Sequence, residues 1–203
     1  MFYNRPAAKV FKKIVEKAGP NAKIRGFSTN VSNYNPYFAR APSSIYGTGP
    51  ANPNYSELRY IQALAPYLKA LGLPVHFIVD QGRSGVQDIR TDTSHWCNIK
   101  GAGYCPPPKK KNPSLLPFHT CANAVKRFGR LPSTKTGDCC VDSIVWVKPG
   151  GESDGTSDKQ STRFTADCAS DNALTPAPEA GLWFNEFVMD LVKNAHPPLP
   201  SSA

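Results

Sequence analysis

Three short apolar-rich runs, each followed at once by a polar loop, do most to limit what this chain can fold into. They are residues 24–29 before the asparagine-rich loop 30–35, residues 75–79 before Asp80-Gln81-Gly82-Arg83-Ser84-Gly85, and residues 143–147 before the glycine-rich loop 148–156. The middle run has no polar alternation, which suits a strand covered on both faces, as strands of parallel sheets are. Helical periodicities separate the runs. Val10, Phe11, Ile14, Val15 and Ala18 recur at helical spacing, with Lys9, Lys12, Lys13, Glu16 and Lys17 on the other face and Gly19-Pro20 as a stop. Residues 55–71 fit a second helix with Ile61, Leu64, Ala65 and Leu68 as its stripe. Asn54 is its expected N-cap with Glu57 three residues on, Gly72 its stop, and Pro66 a kink. Residues 179–194 fit a third, with Trp183/Phe184, Phe187/Val188 and Leu191/Val192 at steps of four. Helix–strand–loop twice, then strand–loop–helix, specifies an α/β fold with parallel strands. Chemistry in such folds gathers in the loops after the strands' C-terminal ends.

Several functional classes drop out on charge and composition. The net charge of +9 invites a nucleic-acid reading. However, Met1 to Arg25 holds seven basic residues against Glu16 alone, and residues 104–127 hold five and no acid. The remainder, with twelve basic and fourteen acidic residues, is mildly acidic, so no continuous basic face is expected. No apolar run is long enough to span a membrane, and the N-terminus lacks the uninterrupted apolar stretch of a secretory signal. The six cysteines, Cys97, Cys105, Cys121, Cys139, Cys140 and Cys168, form no CxxC pair. They fit either a few disulfides in an oxidising compartment or free thiols. Asn30-Val31-Ser32 has the form of an N-glycosylation acceptor.

Two strand-end loops concentrate charge: Asp80 and Arg83 in one, Lys148, Glu152 and Asp154 in the other. If their strands share a parallel sheet, these five groups meet at one rim; the alternative is a set of ordinary loop ion pairs. Gly82, Gly85, Gly150, Gly151 and Gly155 around them suggest close backbone approach and unusual φ. No serine sits in a G-x-S-x-G elbow, no P-loop is present, and His76, His95, His119 and His196 show no metal-ligand spacing. Neither a metal nor an organic cofactor is expected. Trp96, between His95 and Cys97 in a polar stretch, suits a platform for the carbon-bound hydrogens of a pyranose, or else packing against a neighbouring loop.

Taken together, five motifs resemble glycoside hydrolase family 6, the fungal cellobiohydrolases and endoglucanases acting on β-1,4-glucan. They are Arg25-Gly26-Phe27-Ser28-Thr29-Asn30-Val31-Ser32-Asn33-Tyr34-Asn35, the Asp80 to Gly85 loop, Trp96-Cys97-Asn98, the stretch from Val145 to Asp158, and that from Ala173 to Gly181. The resemblance implies a distorted seven-stranded, TIM-like α/β barrel, of which this chain is the C-terminal half, with a substrate cleft at the C-terminal rim. It implies inverting hydrolysis of β-1,4-glucosidic bonds in cellulose or cello-oligosaccharides, of the exo-cellobiohydrolase type, by a monomeric secreted parent. Asp154 looks like the catalytic base carboxylate, Arg83 and Lys148 like its ion-pair partners, and Asp80 like a secondary member. Asn33, Trp96, Lys148 and Glu152 look like sugar contacts, and Cys97 and Cys168 like a disulfide. A carboxylate between two cations is expected to ionise below the usual range, so Asp154 would not be the proton donor. An inverting glycosidase needs a second, protonated carboxylic acid roughly 6.5–9.5 Å away.

That acid lies, by the resemblance, upstream of everything in this chain. Residues 1–203 are therefore expected to be a partial catalytic domain, inactive or nearly so alone, as a truncated gene model would produce. Residues 104–127, basic and rich in proline, read as a disordered insertion of the kind an unspliced intron leaves; excising them restores the family pattern across Gly103 and Phe128. Cys105 and Cys121 belong to that stretch, Cys139 and Cys140 stand where the resemblance expects none, and Thr93 replaces a tryptophan. The alternative function is a non-catalytic carbohydrate-binding fragment.

Overall fold

A computed structural model describes residues 4–39, 54–86, 89–90, 92, 95–104, 134, 136–195 and 198–199. Three parallel strands form its sheet, in the order β1 (Phe27–Thr29), β2 (Phe77–Asp80), β3 (Val141–Val145). Phe27 pairs with Phe77 and Thr29 with Val79; Val79 pairs in turn with Ile144 and Asp80 with Val145. The described residues thus form an open three-stranded parallel sheet. The seven-stranded closure implied by the resemblance is not among them.

Helices α1 (Asn4–Ala18) and α2 (Glu57–Ala70) precede β1 and β2. Their apolar stripes join the sheet in one core: Ala8, Ile61, Leu64 and Leu68 with Phe77, Val79, Val141 and Ile144. On β2, Phe77, Val79 and Asp80 are buried and Ile78 is half-buried, so one face is sealed in the core and the other is covered in part. The inward face of α1 is set by Ala8, Phe11 and Val15, one step around the helix from the stripe expected from sequence; Val10 and Ile14 remain 54% and 57% exposed.

Three boundaries differ from the sequence reading, each because a distant group intervenes. The N-cap of α2 is Ser56, whose Oγ accepts from the Arg59 N–H at 3.5 Å, not Asn54. Glu57 is then free of capping duty and turns inward, where its Oε1 accepts from Asn35 Nδ2 at 2.9 Å. Strand β3 starts at Val141 and stops at Val145 instead of running from 143 to 147. The Asp80 carboxylate captures the Lys148 N–H at 2.9 Å and draws the chain off the ladder, leaving Trp146 and Val147 exposed. The last helix, α3 (Asn185–Lys193), lacks the six residues from Glu179 to Phe184. Gly181, at φ 84°, and the bonds Gly181 N–H to Ser153 O (3.0 Å), Ser153 N–H to Leu182 O (2.9 Å) and Phe184 N–H to Gly151 O (2.7 Å) hold that stretch extended against the 151–153 loop. Trp183 is 66% exposed as a result, while Phe184, Phe187 and Leu191 join Tyr34, Ile99 and Ala102 in a second core.

Burial pushes the Glu57 carboxyl above its ordinary range, with the Asn35 bond opposing. The fold favours the neutral form, whereas the unfolded chain ionises in the usual range. Stability is therefore greatest at or below that range and falls as pH rises through it towards the folded-state value. Glu57→Gln keeps an acceptor for Asn35 and removes the charge. We expect it to match the parent protein in acid, to exceed it at mildly alkaline pH, and to flatten the pH dependence of the urea midpoint. An unchanged slope would place the origin elsewhere.

Residues 105–127 and Thr93 lie outside the described residues, so Cys105 and Cys121 do as well. Tyr104, which the sequence reading placed at the head of the insertion, belongs to the folded body. Its N–H donates to Leu191 O at 3.0 Å and its ring stacks on Trp146 at 5.6 Å.

Candidate active site

The loops after β1, β2 and β3 and the segment 95–99 meet at the C-terminal ends of the strands. Their centre is the Asp154 carboxylate, whose side chain is 3% exposed. Oδ2 accepts three hydrogen bonds: Arg83 Nη1 at 2.9 Å, the Asn98 N–H at 2.9 Å and the Tyr34 hydroxyl at 3.1 Å. Oδ1 faces the Lys148 ammonium at 3.6 Å, an ion pair longer than a hydrogen bond. Lys148 also meets Glu152 Oε2 at 3.3 Å. All five charged groups of the two strand-end loops are therefore brought together at this rim.

Each has a different task. Arg83 lies with its guanidinium carbon 4.5 Å over the Tyr34 ring and 5.8 Å from Phe187, so its charge is fixed by ring faces as well as by Asp154. Its Nη2 is buried with no hydrogen-bond partner among the described residues. Asp80 does not face the others as a reactive group. Its Oδ1 accepts the Gly82 N–H and its Oδ2 the Lys148 N–H, each at 2.9 Å, so it ties the β2 loop to the β3 loop. Asn33 Oδ1 accepts from the Tyr34 N–H at 2.9 Å and Arg90 Nη1 at 3.1 Å. Trp96 is 37% exposed, and its indole N–H donates to Asp167 Oδ2 at 2.8 Å, which ties down one edge of the ring. Glu152 is 41% exposed at its side chain.

Two members of the cluster carried no assignment from sequence. Tyr34 is buried, and burial above all, with Asp154 contributing, pushes its phenol far above the ordinary range; it is a fixed proton donor to Asp154. Asn98 makes a reciprocal pair, its N–H to Asp154 Oδ2 and its Oδ1 accepting from the Asp154 N–H at 2.8 Å. Its neighbour Cys97 is disulfide-bonded to Cys168, as the resemblance implied.

Two smaller expectations change. None of the five rim glycines has a positive φ. Gly85 and Gly155 are needed for space: a Cβ would strike the Tyr104 carbonyl at the first, and would sit 2.6 Å from Cys168 Sγ at the second. The Asn30 sequon is occupied internally. Its Nδ2 donates to Asp80 O at 2.7 Å, Asn35 O at 3.0 Å and Ser84 Oγ at 3.3 Å, stapling the β1 loop to the β2 loop rather than offering an amide for a glycan.

A buried carboxylate paired with an arginine and a lysine thus stands at the C-terminal ends of the parallel strands, where α/β folds place their chemistry. The family model for glycosyl hydrolases family 6 matches residues 3–117 and 109–195, and the chain belongs to that family. Exoglucanase 3 of Agaricus bisporus is 47% identical over 194 residues, covering 96% of this chain and 38% of that protein. Exoglucanase-6A of Humicola insolens is 44% identical over 195 residues, with 96% and 35% covered. Among solved structures, cellobiohydrolase II (Cel6A) of Humicola insolens in complex with glucose and cellotetraose aligns at TM-score 0.78 and 44% identity, over 97% of this chain and 47% of that one. The family 6 enzyme CcCel6C of Coprinopsis cinerea aligns at 0.75 and 45%, with 97% and 47% covered. The chain spans well under half the length of these curated relatives and just under half of the solved chains.

Proposed function

We propose that this chain is the base-bearing part of an inverting β-1,4-glucan hydrolase of the exo-cellobiohydrolase type. Alone, it holds cello-oligosaccharide without cleaving it at a measurable rate. The observation that carries this reading is the asymmetry of Asp154. Three donors saturate Oδ2, and Oδ1 is left facing Lys148. Oδ1 is then the atom that takes a proton from the attacking water. Arg83, Tyr34 and Asn98 hold the carboxylate so that its lone pair points without reorganisation. Trp96 presents its ring face to a pyranose, with Asn33, Lys148 and Glu152 as polar contacts to the same chain of sugars. The relative bound to glucose and cellotetraose favours a glucan in this role. A secreted parent fits the Cys97–Cys168 disulfide.

Inactivity of the chain alone rests on the carboxyls around Asp154. Asp80 accepts two backbone N–H groups and Glu152 faces Lys148. Both are engaged by these donors, and the general acid that the mechanism needs lies, by the family resemblance, outside residues 1–203. With purified chain and a soluble cello-oligosaccharide, we expect release of reducing sugar no faster than from Asp154→Ala, together with calorimetrically detectable binding. Trp96→Ala should weaken that binding roughly tenfold, the worth of one aromatic contact. Hydrolysis clearly above the Asp154→Ala control would overturn the inactivity. Unchanged binding in Trp96→Ala would remove the indole from the subsite.

A further inference from the structure

At the other end of the sheet, where the chain enters β3, two thiols and a carboxylate stand together. Asp138, Cys139 and Cys140 place one ligand atom each within 4.8 Å of one another. We propose that these three residues bind one thiophilic divalent cation, zinc or its heavier analogue cadmium. The site is independent of the glucan site, since β3 separates the two.

The geometry points to this in three ways. The two sulfurs are 3.9 Å apart. Thiolates sharing a tetrahedral zinc, at Zn–S of about 2.3 Å, are separated by about 3.8 Å, so the two sulfurs already stand at the spacing one ion needs. A disulfide, by contrast, would draw these sulfurs in to about 2.05 Å. Second, the carboxylate is held in place. Asp138 Oδ1 accepts the Cys140 N–H at 2.8 Å and Oδ2 accepts from Gln62 Nε2 on α2 at 2.9 Å. Third, the turn carrying all three ligands is pinned on both sides. Thr136 Oγ1 donates towards Val141 O and Asp138 O, the Val141 N–H bonds Asp138 O at 3.2 Å, and the Cys140 carbonyl accepts the Phe77 N–H at 2.8 Å. Ligands on a backbone so constrained lose little freedom on binding. Cys139 is exposed, which gives the ion access from solvent and leaves room for a water as fourth ligand.

Binding forms two metal–sulfur bonds and one metal–oxygen bond and releases the two thiol protons to solvent, so affinity rises with pH. The pair of soft sulfurs selects zinc or cadmium over magnesium and calcium, which prefer all-oxygen shells.

The test uses the full chain with Cys105 and Cys121 replaced by serine in every protein compared, so that neither contributes a sulfur. After mild reduction, cadmium chloride is titrated in and the thiolate-to-metal charge-transfer absorbance is followed; zinc chloride is then added as competitor. We expect one cadmium per chain, displaced by zinc and unaffected by excess magnesium. Loss of an outer-shell partner alone costs roughly 10–100-fold in metal affinity, so Cys139→Ser/Cys140→Ser should bind at least about 100-fold more weakly. Asp138→Asn should lie between it and the parent. Circular dichroism of the exposed single variant Cys139→Ser, expected to match the parent while losing most cadmium affinity, separates ligand loss from misfolding. No absorbance change in the parent, or the same affinity in the double variant, overturns the proposal. So does recovery of a Cys139–Cys140 peptide two hydrogens lighter that resists mild reduction, which would make the pair a disulfide.

Discussion

Asp154→Ala will abolish nearly all hydrolysis when this chain is completed by the rest of a relative's catalytic domain. In a chimera that supplies the remainder of the Agaricus bisporus exoglucanase 3 chain, kcat on a soluble cello-oligosaccharide should fall by roughly 10²–10⁴-fold, the usual worth of a general base, the role proposed above for this carboxylate. KM should change little, since Trp96 and Glu152 remain. The size of the effect comes from how the carboxylate is held. Arg83, Asn98 and Tyr34 converge on one oxygen and fix the direction of the other. Tyr34→Phe removes only one donor, and its expected loss is smaller. The anomeric form of the product, followed by polarimetry or NMR during turnover, should be inverted. A chimera with full activity after Asp154→Ala would remove the residue from the reaction. A retained anomeric configuration would remove the inverting mechanism.

The second large effect is on stability. Cys97→Ala/Cys168→Ala should lower the free energy of unfolding by about 4 kcal/mol, because the bridge spans 71 residues and constrains the unfolded chain accordingly. The change should appear as a lower denaturant midpoint with the slope m nearly unchanged or slightly raised. The bridge also acts on the site. Cys97 precedes Asn98, whose reciprocal bonds grip Asp154, and the sulfur of Cys168 fills the space beside Gly155. In the chimera, the same double variant is therefore expected to lose activity before it unfolds. A shift below about 1 kcal/mol would mean that the unfolded chain is already compact between the two cysteines.

The parallel sheet and the charged rim were legible because both are written locally. An apolar run ending in a polar loop shows where a strand stops, and Asp80, Arg83, Lys148, Glu152 and Asp154 all lie at such a stop or in the loop that follows it. What escaped was decided by contacts between distant parts of the chain. Trp183 and Phe184 have helical spacing with Phe187, Val188 and Leu191, yet they pair with the 151–153 loop because its backbone groups need partners. Tyr34 reaches Asp154 across 120 positions, and Asn98 does so through its backbone N–H, which no side-chain motif records. The shift of the α1 stripe is of the same kind: periodicity gives the width of an apolar face, and the neighbouring helix decides its angle.

The anchoring of Tyr104 and Thr136 bears on how the gene can vary. Tyr104 is clamped to Leu191, and Thr136 is held by its hydroxyl to Val141 O while its carbonyl accepts the Tyr37 hydroxyl at 3.1 Å. Both ends of the span between them are fastened to the folded body whatever its content. Doubling the length of a flexible span between fixed ends costs only about 0.6 kcal/mol. By loop-closure entropy alone, a change of length between two such anchors is therefore cheap for the fold, whereas a methyl added at Gly155, 2.6 Å from the Cys168 sulfur, is not.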